Sequence, residues 1–194
     1  MVSFSVITPT VGRKSIAATA ASIVSQDIQR DDEWIIVEDG RERIAWQHLS
    51  TFYPNAPIYI RYFDTEKTHY FGNEQRNHAM GNARGSHLLF MDDDDTFTEG
   101  VWKRVREECE ATPTVPLLFR MGGKDGGMLW KSQALVACEI GTPCLVMPNV
   151  PVKTKWGPGA GTSDFEFIKG VCEEIGPPRF VDERICWVKG GLEC

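Results

Sequence analysis

The sequence predicts an α/β fold: a mostly parallel β-sheet with helices on both faces, forming a single compact domain. Three observations predict it. Short apolar runs such as Trp34-Ile-Ile-Val37 show no alternation of polar and apolar residues, as in strands buried on both faces. These runs alternate with helix-like segments, and repeated β-α units imply parallel strands joined by helical crossovers. Three of the runs end directly in polar clusters: Thr8-Pro9-Thr10, Glu38-Asp39 and Asp92 to Asp95. In such sheets the ligand site lies beyond the C-terminal strand ends, so one edge collects all three clusters.

The elements follow in order. Phe4-Ser-Val-Ile7 is a β run that stops at Thr8-Pro9-Thr10. Residues from Lys14 to Ser25, rich in Ala and Ile, suit a helix. Trp34 to Val37 is a second strand, and a helix follows from Arg43 to Phe52. Pro57 to Phe63 is a third strand. Asn73 to Ala83 is helical, with Gly85 as its stop. His87-Leu-Leu-Phe-Met91 is a fourth strand running into the aspartates, and Glu99 to Cys109 is a helix with Thr98 as its cap. The second half is less regular. Val115 to Met121, Met128 to Trp130 and Cys144 to Met147 read as strands, with a Gly-rich turn from Gly122 to Gly127. Lys155 to Gly161 is a Gly/Pro-rich loop, and Asp164 to Glu174 is a helix capped by Ser163. No repeat, low-complexity tract or linker divides the chain, so residues 1–194 form one domain.

Composition narrows the class. A chain of 194 residues buries a real core without cross-links, and 42% hydrophobic with 25% charged residues is globular. A net charge of -6 with dispersed Lys and Arg argues against a dedicated nucleic-acid binder, which needs a concentrated basic surface. The six cysteines form no C-x-x-C pair and no zinc-finger spacing with His, so free, mostly buried thiols in a reducing cytoplasm are expected. The N-terminus lacks a basic region before its short apolar run, and no stretch approaches the ~20 apolar residues of a membrane helix. A soluble, cytoplasmic protein is expected.

Four consecutive aspartates at a strand end are the sharpest chemical signal. Like charges packed this closely repel, and a divalent cation removes the cost. Carboxylates one residue apart on a strand exit point to the same side, which pairs Asp92 with Asp94 and turns Asp93 and Asp95 the other way. Hard oxygen donors of this kind select Mg²⁺ or Mn²⁺. An EF-hand reading fails, because Phe97 stands where its loop needs Gly and Lys103 where it needs the closing Glu. The plainer alternative is a solvated acidic turn beside the helix that follows.

Four segments carry a family resemblance. Phe4-Ser-Val-Ile-Thr-Pro-Thr-Val-Gly-Arg13 resembles the opening strand and loop of family 2 glycosyltransferases with the GT-A fold, a Rossmann-like architecture. Ile35-Ile-Val-Glu-Asp-Gly40 is similar to their second strand, usually V-D-D-G-S. Gly72-Asn-Glu-Gln-Arg-Asn-His-Ala-Met-Gly-Asn-Ala-Arg-Gly85 is similar to G-x-x-x-A-R-N-x-G-x-x-x-A-x-G, with Gln75 where Ala is common. His87-Leu-Leu-Phe-Met-Asp-Asp-Asp-Asp95 is similar to Y-I-x-F-L-D-x-D-D. The four stand in the family's order over the first half of the chain.

The resemblance implies roles. Backbone around Thr8 and Pro9 lines a base and ribose pocket, and Asp39 accepts a hydrogen bond from the base, typically uracil N3–H. Arg76 approaches the nucleotide or its diphosphate, where a guanidinium fork suits phosphate oxygens. Asp92 sits near the ribose, Asp94 holds Mn²⁺ or Mg²⁺ with Asp92, and Asp93 adjoins them. Thr10, Arg13, Glu38 and Gly72 are further donor-site candidates, with Glu38 alternatively a cap for nearby backbone. Thr162-Ser-Asp-Phe-Glu-Phe167 resembles the family's base-bearing helix start, making Asp164 the general base and Glu166 its runner-up. The reaction implied is a single in-line displacement with inversion, moving a sugar from a UDP-linked donor to an acceptor hydroxyl. Residues 1–96 would bind the nucleotide sugar and residues 97–194 face the acceptor: a glycan, a lipid-linked intermediate, a protein or a modified nucleic-acid base. His69-Tyr-Phe-Gly72 and Trp156-Gly157 offer aromatic platforms, and the loop from Lys153 to Thr162 a donor lid.

Two other readings compete. A nucleotidyltransferase would carry a Gly-rich phosphate loop after its first strand, and Thr8 to Arg13 has one glycine. A non-catalytic sugar-nucleotide or carbohydrate-binding module would share the polar positions but lack turnover.

Overall fold

The computed structural model describes residues 1–194 apart from 51, 53, 55, 69–70, 124–125, 158–162 and 190–194. Its first half is the expected succession of strands and helices: β1 (Phe4–Thr10), α1 (Ile16–Val24), β2 (Glu33–Asp39), α2 (Ile44–Leu49), β3 (Tyr59–Thr65), α3 (Asn73–Met80) and β4 (His87–Phe90). The strands lie parallel in the order β3-β2-β1-β4. All seven residues of β1 and of β2 are buried, which is why their sequences lack alternation. Successive side chains leave a strand on opposite faces, and helices meet both. On β3, Tyr62 meets Trp46 of α2 edge to face at 5.3 Å, while its neighbour Phe63 meets His78 of α3 at 5.1 Å.

The second half extends the same sheet. It comprises β5 (Thr96–Phe97), α4 (Val101–Ala111), β6 (Leu117–Gly123), β7 (Met128–Leu129), a 3-10 turn over Thr142–Cys144, β8 (Leu145–Pro148), α5 (Ser163–Ile175) and β9 (Arg179–Val188). β8 runs antiparallel to β4 and β6, and β6 pairs parallel with β9. The full order is β3-β2-β1-β4-β8-β6-β9-β5, with β7 alongside β6. α4 closes the core beneath β1, where Trp102 meets Phe4 and Phe97 edge to face at 5.6 and 5.5 Å.

Four expectations need correction. α4 begins after Gly100, in a left-handed conformation; Thr98 supplies a carbonyl to Val101 N–H, not a side-chain cap. α3 stops at Met80, before Gly85, whose missing side chain serves a close approach to β1 instead. The ten-residue strand β9 has no counterpart in the sequence reading, because Asp182-Glu-Arg184 interrupts its apolar pattern where its register with β6 shifts. Cys109, Cys144, Cys172 and Cys186 are free and buried, but Cys138 is disulfide-bonded. It lies on an exposed loop at φ +68, outside the core that shields the other four. The cysteines therefore give no argument for a reducing compartment. No helix among the described residues is long and apolar enough to cross a membrane.

Candidate active site

β1, β2 and β4 run parallel, so Thr10, Asp39 and the 92–95 run emerge at one edge of the sheet. A cleft of about 450 Å³ opens there. Pro9, Thr10 and Arg13 line it from the β1 exit, Asp39 from β2, Gly72 and Arg76 from α3, Asp92 and Asp93 from the β4 exit, and Asp164 from α5. Thr8, Glu38, Asp94 and Glu166 are not on its wall.

Residues 92–95 form a turn beyond β4, with Asp95 N–H donating to Asp92 O at 3.2 Å. Asp92 and Asp94 are half-buried and Asp93 and Asp95 buried, but Asp92 and Asp93 line the cleft and Asp94 does not, so the strand-exit pairing of Asp92 with Asp94 is not kept. Guanidinium groups meet the first three. Arg76, itself buried, binds Asp92 through Nη2, and Arg13 Nη1 bridges Asp93 Oδ1 at 3.1 Å and Asp94 Oδ2 at 2.9 Å. Thr10 Oγ1 donates to Asp93 Oδ2 at 2.6 Å. Burial pushes the Asp93 carboxyl above its ordinary range, with the Thr10 hydroxyl and Arg13 pulling it back. Asp95 is pushed up to about 7, first by burial and then by the Asp92 charge; Lys189 N–H, donating at 2.8 Å, opposes this.

The two acidic residues closing β2 face different tasks. Asp39 Oδ1 accepts from Thr68 N–H at 2.7 Å and from Gln75 Nε2 at 3.0 Å on the cleft wall. Glu38 turns the other way. Its carboxylate accepts from Ile44 N–H at 2.8 Å and Ala45 N–H at 3.1 Å, capping α2, and from the Tyr62 hydroxyl. Burial, reinforced by this contact, raises the Tyr62 hydroxyl beyond its usual range. Thr8 is likewise committed to packing, with its Oγ1 accepting from Trp34 Nε1 at 2.9 Å.

α3 brings Arg76 to the cleft, which Arg13 and Lys67 line from the segments after β1 and β3. Gly72 sits at φ +81 against Pro9, where an added Cβ would lie 2.7 Å from the proline Cβ; this puts α3 directly on the β1 exit. Arg76 Nη1 donates to Phe71 O at 2.9 Å, and its Nε is buried without a partner. Asn77 holds the backbone of Trp156 from both sides, donating to its carbonyl at 2.9 Å and accepting its N–H at 3.0 Å. Trp156 is therefore no open platform. It is buried, stacked on Phe167 of α5 at 3.4 Å and capped by the Arg76 guanidinium at 5.6 Å. Of the other aromatic platform, Phe71 lines the cleft while His69 and Tyr70 lie outside the described residues. So do residues 158–162 of the lid loop; the described part, 153–157, is anchored by Asn73, Asn77 and Glu174.

Lys67, Asn73 and Ser163 also line the cleft, a place assigned to none of them on sequence; Ser163, expected to cap α5, is instead its first residue. Asn73 and Asn77 flank Arg76 on α3, and their place in the same family-like motif was the available signal. Asp164, in the first turn of α5, holds Thr142 N–H through Oδ2 at 3.1 Å; Glu166 is exposed. Among the described residues no group of three His, Cys, Asp or Glu side chains could hold a metal ion. Mg²⁺ and Mn²⁺ bind through one or two carboxylates plus substrate phosphates and water, and Asp92, half-buried on the cleft wall with Asp94 two residues on, offers hard oxygen donors of that kind.

This sheet order and its loaded C-terminal edge define the class: the GT-A fold. Residues 5–158 match the family described as Glycosyl transferase family 2, and the chain belongs to that family. A Haemophilus influenzae protein described as an uncharacterized glycosyltransferase is 25% identical over 149 residues, covering 75% of this chain and 48% of that protein. The chain thus spans about half the length of this curated relative. S. aureus TarS 1-349 in complex with UDP-GlcNAc superposes with a TM-score of 0.81 at 20% identity, over 97% of this chain and 59% of that one. The mannosyltransferase PcManGT from Pyrobaculum calidifontis, in complex with GDP-Man and Mn²⁺, gives 0.68 at 15% identity, over 95% and 56%. At these identities the likeness is one of fold.

Proposed function

We propose that the chain moves a sugar from a nucleoside-diphosphate sugar, UDP-linked, to an acceptor hydroxyl with inversion at the anomeric carbon. One observation carries this reading: Asp39, Arg76, Asp92 and Asp164, from four separate stretches of sequence, converge on a single cleft. Family membership supports it. So do the nucleotide-sugar complexes of TarS and PcManGT, which share the fold.

Each residue then has a task. Asp39 accepts an N–H from the base. Asp92, fixed by Arg76, faces the ribose, and Arg76 with Arg13 and Lys67 brings positive charge to the diphosphate. Residues 1–96 form the donor half and 97–194 the acceptor-facing half. Asp164 accepts the acceptor's hydroxyl proton. The acceptor oxygen bonds to the anomeric carbon as the bond from that carbon to the diphosphate oxygen breaks, and the electron pair leaves with the nucleoside diphosphate. One displacement from the opposite face inverts the centre. A divalent cation on Asp94 and Asp92 would supply charge neutralisation at the departing diphosphate.

The test is Asp164→Asn, assayed on a donor panel with glycan, lipid-linked, protein and modified nucleic-acid acceptors. Turnover falls by about 10²-fold or more while UDP affinity is kept. A wild-type chain that binds UDP but turns over no donor is a binding module, and the enzymatic reading is lost.

A further inference from the structure

Gln75 stands where the family pattern commonly has Ala, and the structure gives it a specific contact. It is fully buried on α3 and is not on the cleft wall. Both N–H groups of its amide are used: Nε2 lies 3.0 Å from Asp39 Oδ1 and 2.9 Å from Thr65 Oγ1. Thr65 Oγ1 in turn donates to the Glu38 carbonyl at 3.2 Å, which ties the amide to the β2–β3 ladder. Thr68 adds two donors to the same carboxylate oxygen, its N–H at 2.7 Å and its hydroxyl at 3.3 Å. The amide cannot be reversed, since its carbonyl would then face a group that only accepts. The arrangement leaves Gln75 Oε1 buried without a partner. Alanine would avoid that cost, so the contact with Asp39 is what the amide supplies.

We infer that Gln75, backed by Thr68, is a positioning residue that locks the Asp39 carboxylate to read the imide N–H of a uracil ring, and so sets the cleft's preference for uridine nucleotides. The inference rests on the donor reading above. A carboxylate accepts but does not donate, so it favours an N–H at that ring position and repels a lone pair there. It discriminates only while held still, because a carboxylate free to rotate finds other donors, water included. Three donors on Oδ1 hold it.

The experiment measures affinity for UDP, N3-methyl-UDP and CDP, with inorganic pyrophosphate as a control, for wild type, Gln75→Met and Thr68→Val. Methionine conserves the volume of Gln75 and removes its donors, so the variant folds, and its melting temperature is unchanged or raised. Wild type prefers UDP over both analogues by about 10²-fold. Gln75→Met narrows that preference roughly tenfold, Thr68→Val narrows it less, and pyrophosphate affinity is unmoved in both. If Gln75→Met weakens UDP and its analogues equally, Gln75 only packs the helix and the inference is overturned. If wild type itself fails to prefer UDP, the donor reading falls, and the inference with it.

Discussion

Phe71 holds its backbone at φ +53 and leaves its side chain largely exposed on the cleft wall. A non-glycine residue in the left-handed region costs about 1 kcal/mol, and such strain clusters at ligand sites. A large aromatic left in water beside Asp39 and Pro9 is suited to lie against a base or sugar ring. Phe71→Gly removes both the strain and the ring. The melting temperature holds or rises, while UDP affinity falls by about tenfold, roughly the loss of one stacked ring. A variant that binds UDP as tightly as wild type would remove Phe71 from the donor site. At this scale the sequence was a partial guide. The identities of Asp39 and Arg76 were legible because both sit in motifs. For Glu38 the sequence left two roles open, donor site or backbone cap; the cap is what the structure shows, because the choice depends on which face of β2 the side chain leaves, and Glu38 satisfies α2.

Among the elements, the contact of α3 with β1 decides the shape of the site. Gly85 lies on the return from α3, donates its N–H to Ser5 Oγ at 2.8 Å, and presses against the strand itself. A Cβ there would stand 2.5 Å from Ser5 N and 2.6 Å from the Phe4 carbonyl carbon, both backbone. Neither atom can yield without moving β1. Gly85→Ala is therefore expected to cost about 2 kcal/mol, lowering Tm by roughly 4–8 °C; thermal unfolding showing no change would refute the close packing. The helices and strands of the first half were legible, since their apolar runs and breaks follow local rules. Two features were not. β9 carries Asp182-Glu-Arg184 at a register shift and finds its place only against β6. Trp156 is placed by Asn77, 79 residues earlier in sequence, and no local pattern announces such a contact.

Across the whole molecule, charge buried along the sheet makes stability depend on pH. Burial holds His87, on β4, below its ordinary value of 6.5, opposed by the Pro113 backbone. As pH falls below about 6.5 the unfolded chain takes up this proton first. The stabilisation from a neutral His87 is thus present above that pH and lost as pH drops through the folded value. The stability of wild type relative to His87→Leu should decline between about pH 7 and pH 5 in denaturant titrations. A difference constant over that range would mean that His87 protonates alike in both states.

The same scale holds the central claim, that one edge of a parallel sheet collects a nucleotide-sugar site. The sequence made that edge visible because three strands each stop at a polar cluster. Asp164, some 70 residues beyond the aspartates, was drawn to the site by the family resemblance alone, because its approach to the same cleft from α5 is a tertiary contact that no local pattern announces. Calorimetric titration of UDP, in Mn²⁺ and in chelator, on wild type and Asp94→Asn tests this most directly. UDP binding that requires Mn²⁺ and is lost in Asp94→Asn is the predicted result. Absence of binding to UDP, GDP and other nucleoside diphosphates in either condition would contradict it.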